Sequence, residues 1–158
     1  MKTFTLLSFL SIAFLFSSCD EDKTEPDGLC SQPQKFDKQD VKFAAKGGKQ
    51  TLKAKDDWWW MEDYIHIEGE VIGLYDNPDF EVERGKIKGW DNPNVIYDEG
   101  ADEEIKKIGG EWFTITKDTY STLTIVAKAN DSSLPRMLTL GVQAGNCFYA
   151  ITVSQSAD

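Results

Sequence analysis

The carboxyl-terminal part of the chain, from residue 112 onward, alternates between apolar and polar side chains with a period of two. Phe113 and Ile115 share one face of the first segment. The same alternation continues through three later segments, at residues 121–129, 136–143 and 148–155. Short alternating segments rich in β-branched residues and separated by turn residues are typical of a sandwich or barrel. No long apolar pattern of helical period follows residue 20, so the sequence predicts an all-β fold.

The middle of the chain gives a weaker pattern. Val41 and Phe43 alternate with Lys42, and the alternation resumes at residues 50–55 after two glycines at 47–48. Because glycine adopts positive φ without steric cost, we interpret this stretch as a hairpin. Later short strands are predicted at residues 64–67, 71–75, 80–82 and 95–97. The charged residues 98–107 leave room for one helical turn.

The first eighteen residues have the features of a secretory signal. Lys2 precedes a nearly continuous apolar run at residues 4–16, which small residues and then Cys19 follow. Such a segment is removed from the mature protein, and the run is shorter than the ~20 residues of a membrane-spanning helix. Residues 16–19, Phe-Ser-Ser-Cys, resemble the lipobox of bacterial lipoproteins. The resemblance implies a signal peptide at 1–18 and lipidation of Cys19; an ordinary signal with an incidental cysteine is the alternative.

Residues 19–37 are predicted to be a polar tether that carries the lipid. Residues 20–27 contain no apolar side chain except Pro26, and the whole chain has a formal net charge of −10. An acidic surface argues against nucleic acid, which is held through basic residues on its phosphates. It also argues against electrostatic adhesion to an anionic membrane, so contact with the membrane is expected through the lipid anchor alone. Acidic residues after an acylated cysteine resemble the surface-export signal of Bacteroidetes lipoproteins. This implies the outer membrane or cell surface, with retention on the periplasmic face as the alternative.

Two cysteines remain once Cys19 is assigned to the anchor. In an exported protein, Cys30 and Cys147 are candidates for a disulfide that pins the start of the domain to its last hairpin; two separate buried thiols are the alternative. These cysteines and His66 are too few for a zinc site, which usually has four ligands. The acidic residues at 98–103 lack the spacing of a calcium-binding loop. We therefore expect no metal and no cofactor.

The order of several short motifs resembles one protein family. The motifs are VKFAAKGG at 41–48, TL at 51–52, WFTI at 112–115, LTI at 123–125, ANDS at 129–132, LTL at 138–140 and ITVSQ at 151–155. Over residues 38–60 and 111–157 the chain resembles the BACON domain of Bacteroidetes surface proteins. The resemblance implies an immunoglobulin-like two-sheet β-sandwich and a role in carbohydrate or mucin binding. Another immunoglobulin-like lipoprotein family with a similar ending is the alternative.

Residues 61–110 separate two tryptophan segments that lie close together in that family. We interpret this stretch as an insertion on the rim of a sandwich domain spanning 38–158, and surface loops are where binding sites are usually placed. Aromatic faces stack on sugar rings, and neighbouring Asp and Asn side chains bind hydroxyl groups. The candidate ligand-binding residues are therefore Trp59, Trp90, Asp91, Asn92 and Tyr97. The alternative is that Trp90 and Tyr97 are buried as a small core of the insertion.

The sequence contains no feature that singles out catalytic residues. Carboxylates are plentiful, but no pair stands out as a glycosidase pair, and no nucleophile motif, phosphate loop or histidine cluster is present. We therefore expect a non-catalytic, lipid-anchored binding module for carbohydrate or glycoprotein. The alternative is a structural or protein-interaction subunit of an outer-membrane assembly, with an outer-membrane protein as its partner.

Overall fold

A computed structural model of the protein describes residues 30, 35–55, 59–85, 87 and 104–158. Within these ranges the chain forms ten strands and no helix. The strands are β1 Asp40–Phe43, β2 Gly48–Lys53, β3 Trp60–Ile67, β4 Glu70–Gly73, β5 Glu81–Gly85, β6 Glu104–Gly109, β7 Phe113–Thr119, β8 Thr122–Ala127, β9 Arg136–Ala144 and β10 Cys147–Gln155. In this part of the chain there is no helix long and apolar enough to cross a membrane.

The ten strands form two five-stranded sheets. The first sheet has the order β1-β10-β9-β3-β4, and the second has the order β2-β8-β7-β6-β5. Pairing is antiparallel throughout except between β1 and β10, which run parallel. The prediction of an all-β, two-sheet sandwich is confirmed.

The core lies between the sheets and is built from alternate residues of each strand. Leu140 and Val142 of β9 and Ile151 of β10 are fully buried on the inner face of the first sheet. Ile115 of β7 and Ile125 of β8 oppose them from the second sheet and are also fully buried. Each such aliphatic side chain contributes about 1.5–3 kcal/mol on burial, so the period-two pattern of the sequence provides the main stabilisation of the sandwich.

The prediction of a hairpin across the glycines at 47–48 is wrong. β1 pairs with β10 and β2 pairs with β8, so the turn carries the chain from one sheet to the other. Gly47 has a φ of +71°, and a Cβ atom at this position would lie 2.2 Å from the carbonyl oxygen of Ala127. The turn therefore requires glycine, as expected, but alternation cannot show whether two successive strands share a sheet.

The interpretation of residues 61–110 as a rim insertion is also wrong for the residues that the structure describes. β3 lies inside the first sheet between β9 and β4, and β6 lies inside the second between β7 and β5. Ile65 and Ile108 are fully buried in the shared core. The expected helical turn is wrong at residues 104–107, which begin β6, and its earlier part lies outside the described residues.

A disulfide joins Cys30 to Cys147, the first residue of β10, across 117 residues of sequence and with a Cα–Cα distance of 5.4 Å. These are the two cysteines that the sequence makes candidates for a disulfide. It fixes the amino-terminal end of the described chain beside the turn between β9 and β10, where the first sheet ends.

Candidate functional site

The outer faces of the two sheets differ in chemistry. The outer face of the second sheet is polar: Thr51 lies opposite Thr124 with their hydroxyl oxygens 3.1 Å apart, and Thr116 follows on the next strand. At its edge Lys107 forms an ion pair with Glu81 at 2.8 Å. Threonines and paired charges are ordinary on the solvated side of a sheet.

The outer face of the first sheet carries two aromatic side chains and a glutamine in a row across three strands. Trp60 of β3 pairs with Gln143 of β9, which pairs with Phe148 of β10. The neighbouring Met61 and Val142 are buried in the core, so these three side chains point outward. Phe148 is 66% exposed. Strands lie ~4.8 Å apart, which separates the two aromatic residues by about 10 Å with one amide between them.

Two further rings extend this surface along β3. Tyr64 and His66 meet edge to face with their ring centroids 5.8 Å apart. His66 lies opposite Thr139 on one side and Val71 on the other, at the edge of a groove of about 150 Å³. We use the name aromatic face for the outward side chains of Trp60, Glu62, Tyr64, His66, Gln143 and Phe148.

A β-bulge in β3 crowds two of these side chains over one glycine. Met61 pairs with Val142 and Ile65 with Leu140, so four steps on β3 oppose two steps on β9. A Cβ atom on Gly141 would lie 2.8 Å from Glu62 Cγ and 3.7 Å from Tyr64 Cε2. The bulge therefore places a carboxylate beside an aromatic ring at the middle of the face. Bulges often re-aim side chains in this way next to binding sites.

Glu62 is electrostatically unusual within the aromatic face. Its Oε1 atom is buried and has no hydrogen-bond partner in the described part of the protein. Desolvation by burial, and then the neighbouring charge of Asp63, raise the pKa of Glu62 above its ordinary value. The Asp63 carboxylate itself is turned toward the second sheet, where it forms an ion pair with Arg84 of β5. The Oε1 atom of Glu62 is thus an acceptor without a donor.

The candidate residues from the sequence lie elsewhere. Trp59 is fully buried: its Nε1 donates a hydrogen bond to the carbonyl oxygen of Tyr120 at 2.6 Å, and its ring packs edge to face on Phe36 at 4.9 Å. The expectation that Trp59 binds a ligand is therefore wrong, because strand alternation turns it inward and Trp60 outward. The remaining candidates and the lipidation site lie outside the described residues, namely Trp90, Asp91, Asn92, Tyr97 and Cys19.

A buried lysine occupies the core beside Trp59. The Nζ of Lys117 lies 2.6 Å from Glu104 Oε2, donates to the Trp59 carbonyl oxygen, and sits 4.2 Å from the ring centroids of both Trp59 and Tyr120. Desolvation lowers the pKa of Lys117, and the bond to Glu104 opposes this effect. Because Lys117 is fully buried, this cluster holds the two sheets together rather than offering a surface to a ligand.

The sequence already contains the signal for this lysine. Phe113, Ile115 and Lys117 lie on the same side of β7, so the sequence places the lysine in line with two core residues.

Within the described ranges, no group of three or more His, Cys, Asp or Glu side chains is placed to hold a metal ion.

Comparison with known proteins shows the fold and goes no further. No protein-family model matches the chain, and no curated protein matches it. A protein from Bacteroides thetaiotaomicron solved by NMR is 20% identical with a TM-score of 0.55, over 85% of this chain and 95% of that chain. A Bacteroides ovatus GH5 xyloglucanase in complex with a XXXG heptasaccharide is 17% identical with a TM-score of 0.37, over 76% of this chain and 17% of that chain. The first likeness shows a shared fold, and the second carries no argument.

Proposed function

We propose that this protein is an exported, lipid-anchored, non-catalytic module of the BACON type whose aromatic face binds carbohydrate, either free or on a glycoprotein. The alignment of Trp60, Gln143 and Phe148 across three paired strands carries the proposal. An apolar wall with a few placed polar groups is the usual chemistry of a site for such ligands. Because the residues stand on strands, their spacing is held by the sheet rather than by loops.

The contrast between the two outer faces supports this choice of site. Both faces are solvated sides of five-stranded sheets in one acidic domain, yet among the strand residues that the structure describes only those of the first sheet present aromatic side chains there. Because Phe148 is 66% exposed, most of its apolar surface remains in water and contributes nothing to folding. A ligand that covers Phe148 and Trp60 would remove that surface from water.

The anchoring part of the proposal rests on the residues that precede the domain. The signal-like segment and Cys19 predict acylation, and the Cys30–Cys147 disulfide joins residue 30, eleven residues after Cys19, to the sandwich. We expect a metabolic palmitate label to attach to the wild-type protein and not to the Cys19→Ala variant. A label that persists in the variant would contradict an anchor at this residue.

The binding proposal is tested by titrating the protein with a panel of neutral plant and host polysaccharides in a calorimeter. We expect Trp60→Ala and Phe148→Ala each to weaken binding about tenfold or more, since central aromatic contacts commonly contribute more than about 1.4 kcal/mol. Leu134→Ala is the matched control, because Leu134 is 70% exposed but precedes the far end of β9, roughly 30 Å from Gln143.

Two outcomes would contradict the proposal. One is that Trp60→Ala, Phe148→Ala and the control Leu134→Ala all weaken polysaccharide binding to the same extent. The other is a silent panel together with capture of one outer-membrane protein that depends on Trp60 or Phe148. The second result would instead assign the aromatic face to an assembly subunit.

A further inference from the structure

Glu62 is the one acidic group within the surface proposed to bind carbohydrate. Among the outward positions of β3, β9 and β10, all of which the structure describes, it carries the only formal charge. Its Cγ lies over Gly141 beside the ring of Tyr64, close to the centre of the aromatic face. A ligand that stacks on Trp60 and Tyr64 would therefore meet this carboxylate.

The hydrogen-bonding state of Glu62 indicates what it would accept. A buried oxygen without a donor is costly, because it has lost water and gained no partner. The hydroxyl groups of a saccharide are donors, and a rotation of the Glu62 carboxylate that turned Oε1 toward such a hydroxyl would remove that cost on binding. A carboxylate or sulfate on the ligand would bring a second negative charge to the same place, and no outward cation of β3, β9 or β10 lies there to offset it.

We infer that Glu62 makes the aromatic face selective for neutral, hydroxyl-rich saccharides and excludes acidic ones such as uronates, sialylated chains and sulfated chains. The inference rests on the proposed function and adds the class of ligand to it. The raised pKa of Glu62 agrees with a carboxylate held away from water and beside another negative charge, that of Asp63. The acidity of the whole chain acts in the same direction, with a net charge of −10.

The test uses the full chain and matched pairs of polysaccharides. Neutral glucans, mannans and galactans are each presented beside the same polymer oxidised at C6 to the uronate, so that the two members of a pair differ in charge and little else. We expect the wild type to bind at least one neutral polymer, and its oxidised form about tenfold or more weakly.

Glu62→Gln should reduce this difference to about threefold or less, because the amide keeps an acceptor oxygen and loses the charge. Glu83→Gln is the matched control: it removes the same charge from β5 in the second sheet, where Glu83 pairs with Lys106 at 3.2 Å, and should leave the difference unchanged. A thermal melt of each variant establishes that it is folded.

The outcomes separate this inference from the function on which it rests. If neutral and oxidised polymers bind equally, or if Glu62→Gln keeps the full difference, the selectivity inference is overturned. In either case, if Trp60→Ala still weakens the binding of the wild-type protein's polysaccharide ligand, the proposed function is retained and only the selectivity is lost. If no polymer of either kind binds, both are overturned.

Discussion

Replacing Lys117 by methionine gives the strongest test of how the sandwich is held together. The substitution keeps an unbranched apolar stem in the core and removes only the ammonium group. That group bridges Glu104 of β6 and the carbonyl oxygen of Trp59, and it lies against the rings of Trp59 and Tyr120. One change therefore removes an ion pair, a hydrogen bond and two cation–π contacts at the same atom.

The magnitude follows from burial. Removing one partner of a buried ion pair costs about 3–5 kcal/mol when the other charge is left without compensation. Here the side chain of Lys117 is fully buried, but that of Glu104 is 26% exposed and keeps some contact with water. We therefore expect the lower end of the range, about 3 kcal/mol. For a domain of this size, such a loss lowers the melting temperature by roughly 10 °C.

Urea denaturation of wild type and Lys117→Met, followed by tryptophan fluorescence, measures this difference. A second variant, Lys117→Met with Glu104→Gln, also removes the Glu104 charge, which the single substitution leaves without its partner. It should recover about 1 kcal/mol, because an amide is less costly to bury than an unpaired carboxylate. A single variant that is within about 0.5 kcal/mol of wild type would refute the stabilising role of the pair.

The same pair predicts a pH dependence whose sign is fixed by the pKa. Burial lowers the pKa of Lys117 in the folded protein below its ordinary 10.5, so the unfolded chain binds more protons in the interval between the two values. The stability of wild type relative to Lys117→Met should therefore rise as the pH increases toward 10.5. Lys107 is the contrasting case: its hydrogen bond with Glu81 raises its pKa, so wild type should lose stability relative to Lys107→Met as the pH rises beyond 10.5.

Three further changes test other parts of the account. Gly47→Ala should cost more than about 3 kcal/mol in urea denaturation, because φ is +71° and a Cβ would clash with backbone, whereas Gly73→Ala, with open space around it, should stay within about 1 kcal/mol; equal effects would contradict the turn geometry. Replacing Cys30 and Cys147 together by serine should cost at most ~5 kcal/mol through the 117-residue separation, and an unchanged melting temperature would argue against a formed bond. Glu62→Gln should match wild type below pH 4.5 and exceed its stability by less than about 1 kcal/mol at pH 7, since the raised pKa makes the ionised carboxylate destabilising; a less stable variant at pH 7 would indicate an unrecognised partner.

The strands with one buried face could be predicted from the sequence because burial imposes a period of two. This holds for β7 to β10, where the inward positions are apolar except for Lys117 on β7 and the ends of β9 and β10. The partner of a strand could not be predicted in the same way, as β1 and β2 show, since equal alternation fits one sheet or two facing sheets. The sequence did not predict β6, because Ile105 and Ile108 are three residues apart among charged neighbours and this spacing does not fit the alternation of a strand.

Only part of the candidate site could be predicted from the alternation of apolar and polar residues. Alternation requires Trp59 and Trp60 to point in opposite directions, but it does not say which of them faces the core. The neighbourhood of Trp60 and Phe148 depends on a register between strands 88 residues apart in sequence, which no local pattern encodes. The crowding of Glu62 and Tyr64 over Gly141 depends on a bulge, which changes the pairing between β3 and β9 but not which side chains of β3 point outward.

A map of backbone and indole N–H chemical shifts during titration with the neutral polysaccharide panel tests whether carbohydrate binds at the aromatic face. If the aromatic face binds carbohydrate, the largest chemical-shift changes will belong to Trp60, Tyr64, Gln143 and Phe148. The signals of Thr51, Thr116 and Thr124 on the outer face of the second sheet will not change. Changes confined to these threonines, or no change with any saccharide, would contradict carbohydrate binding at the aromatic face.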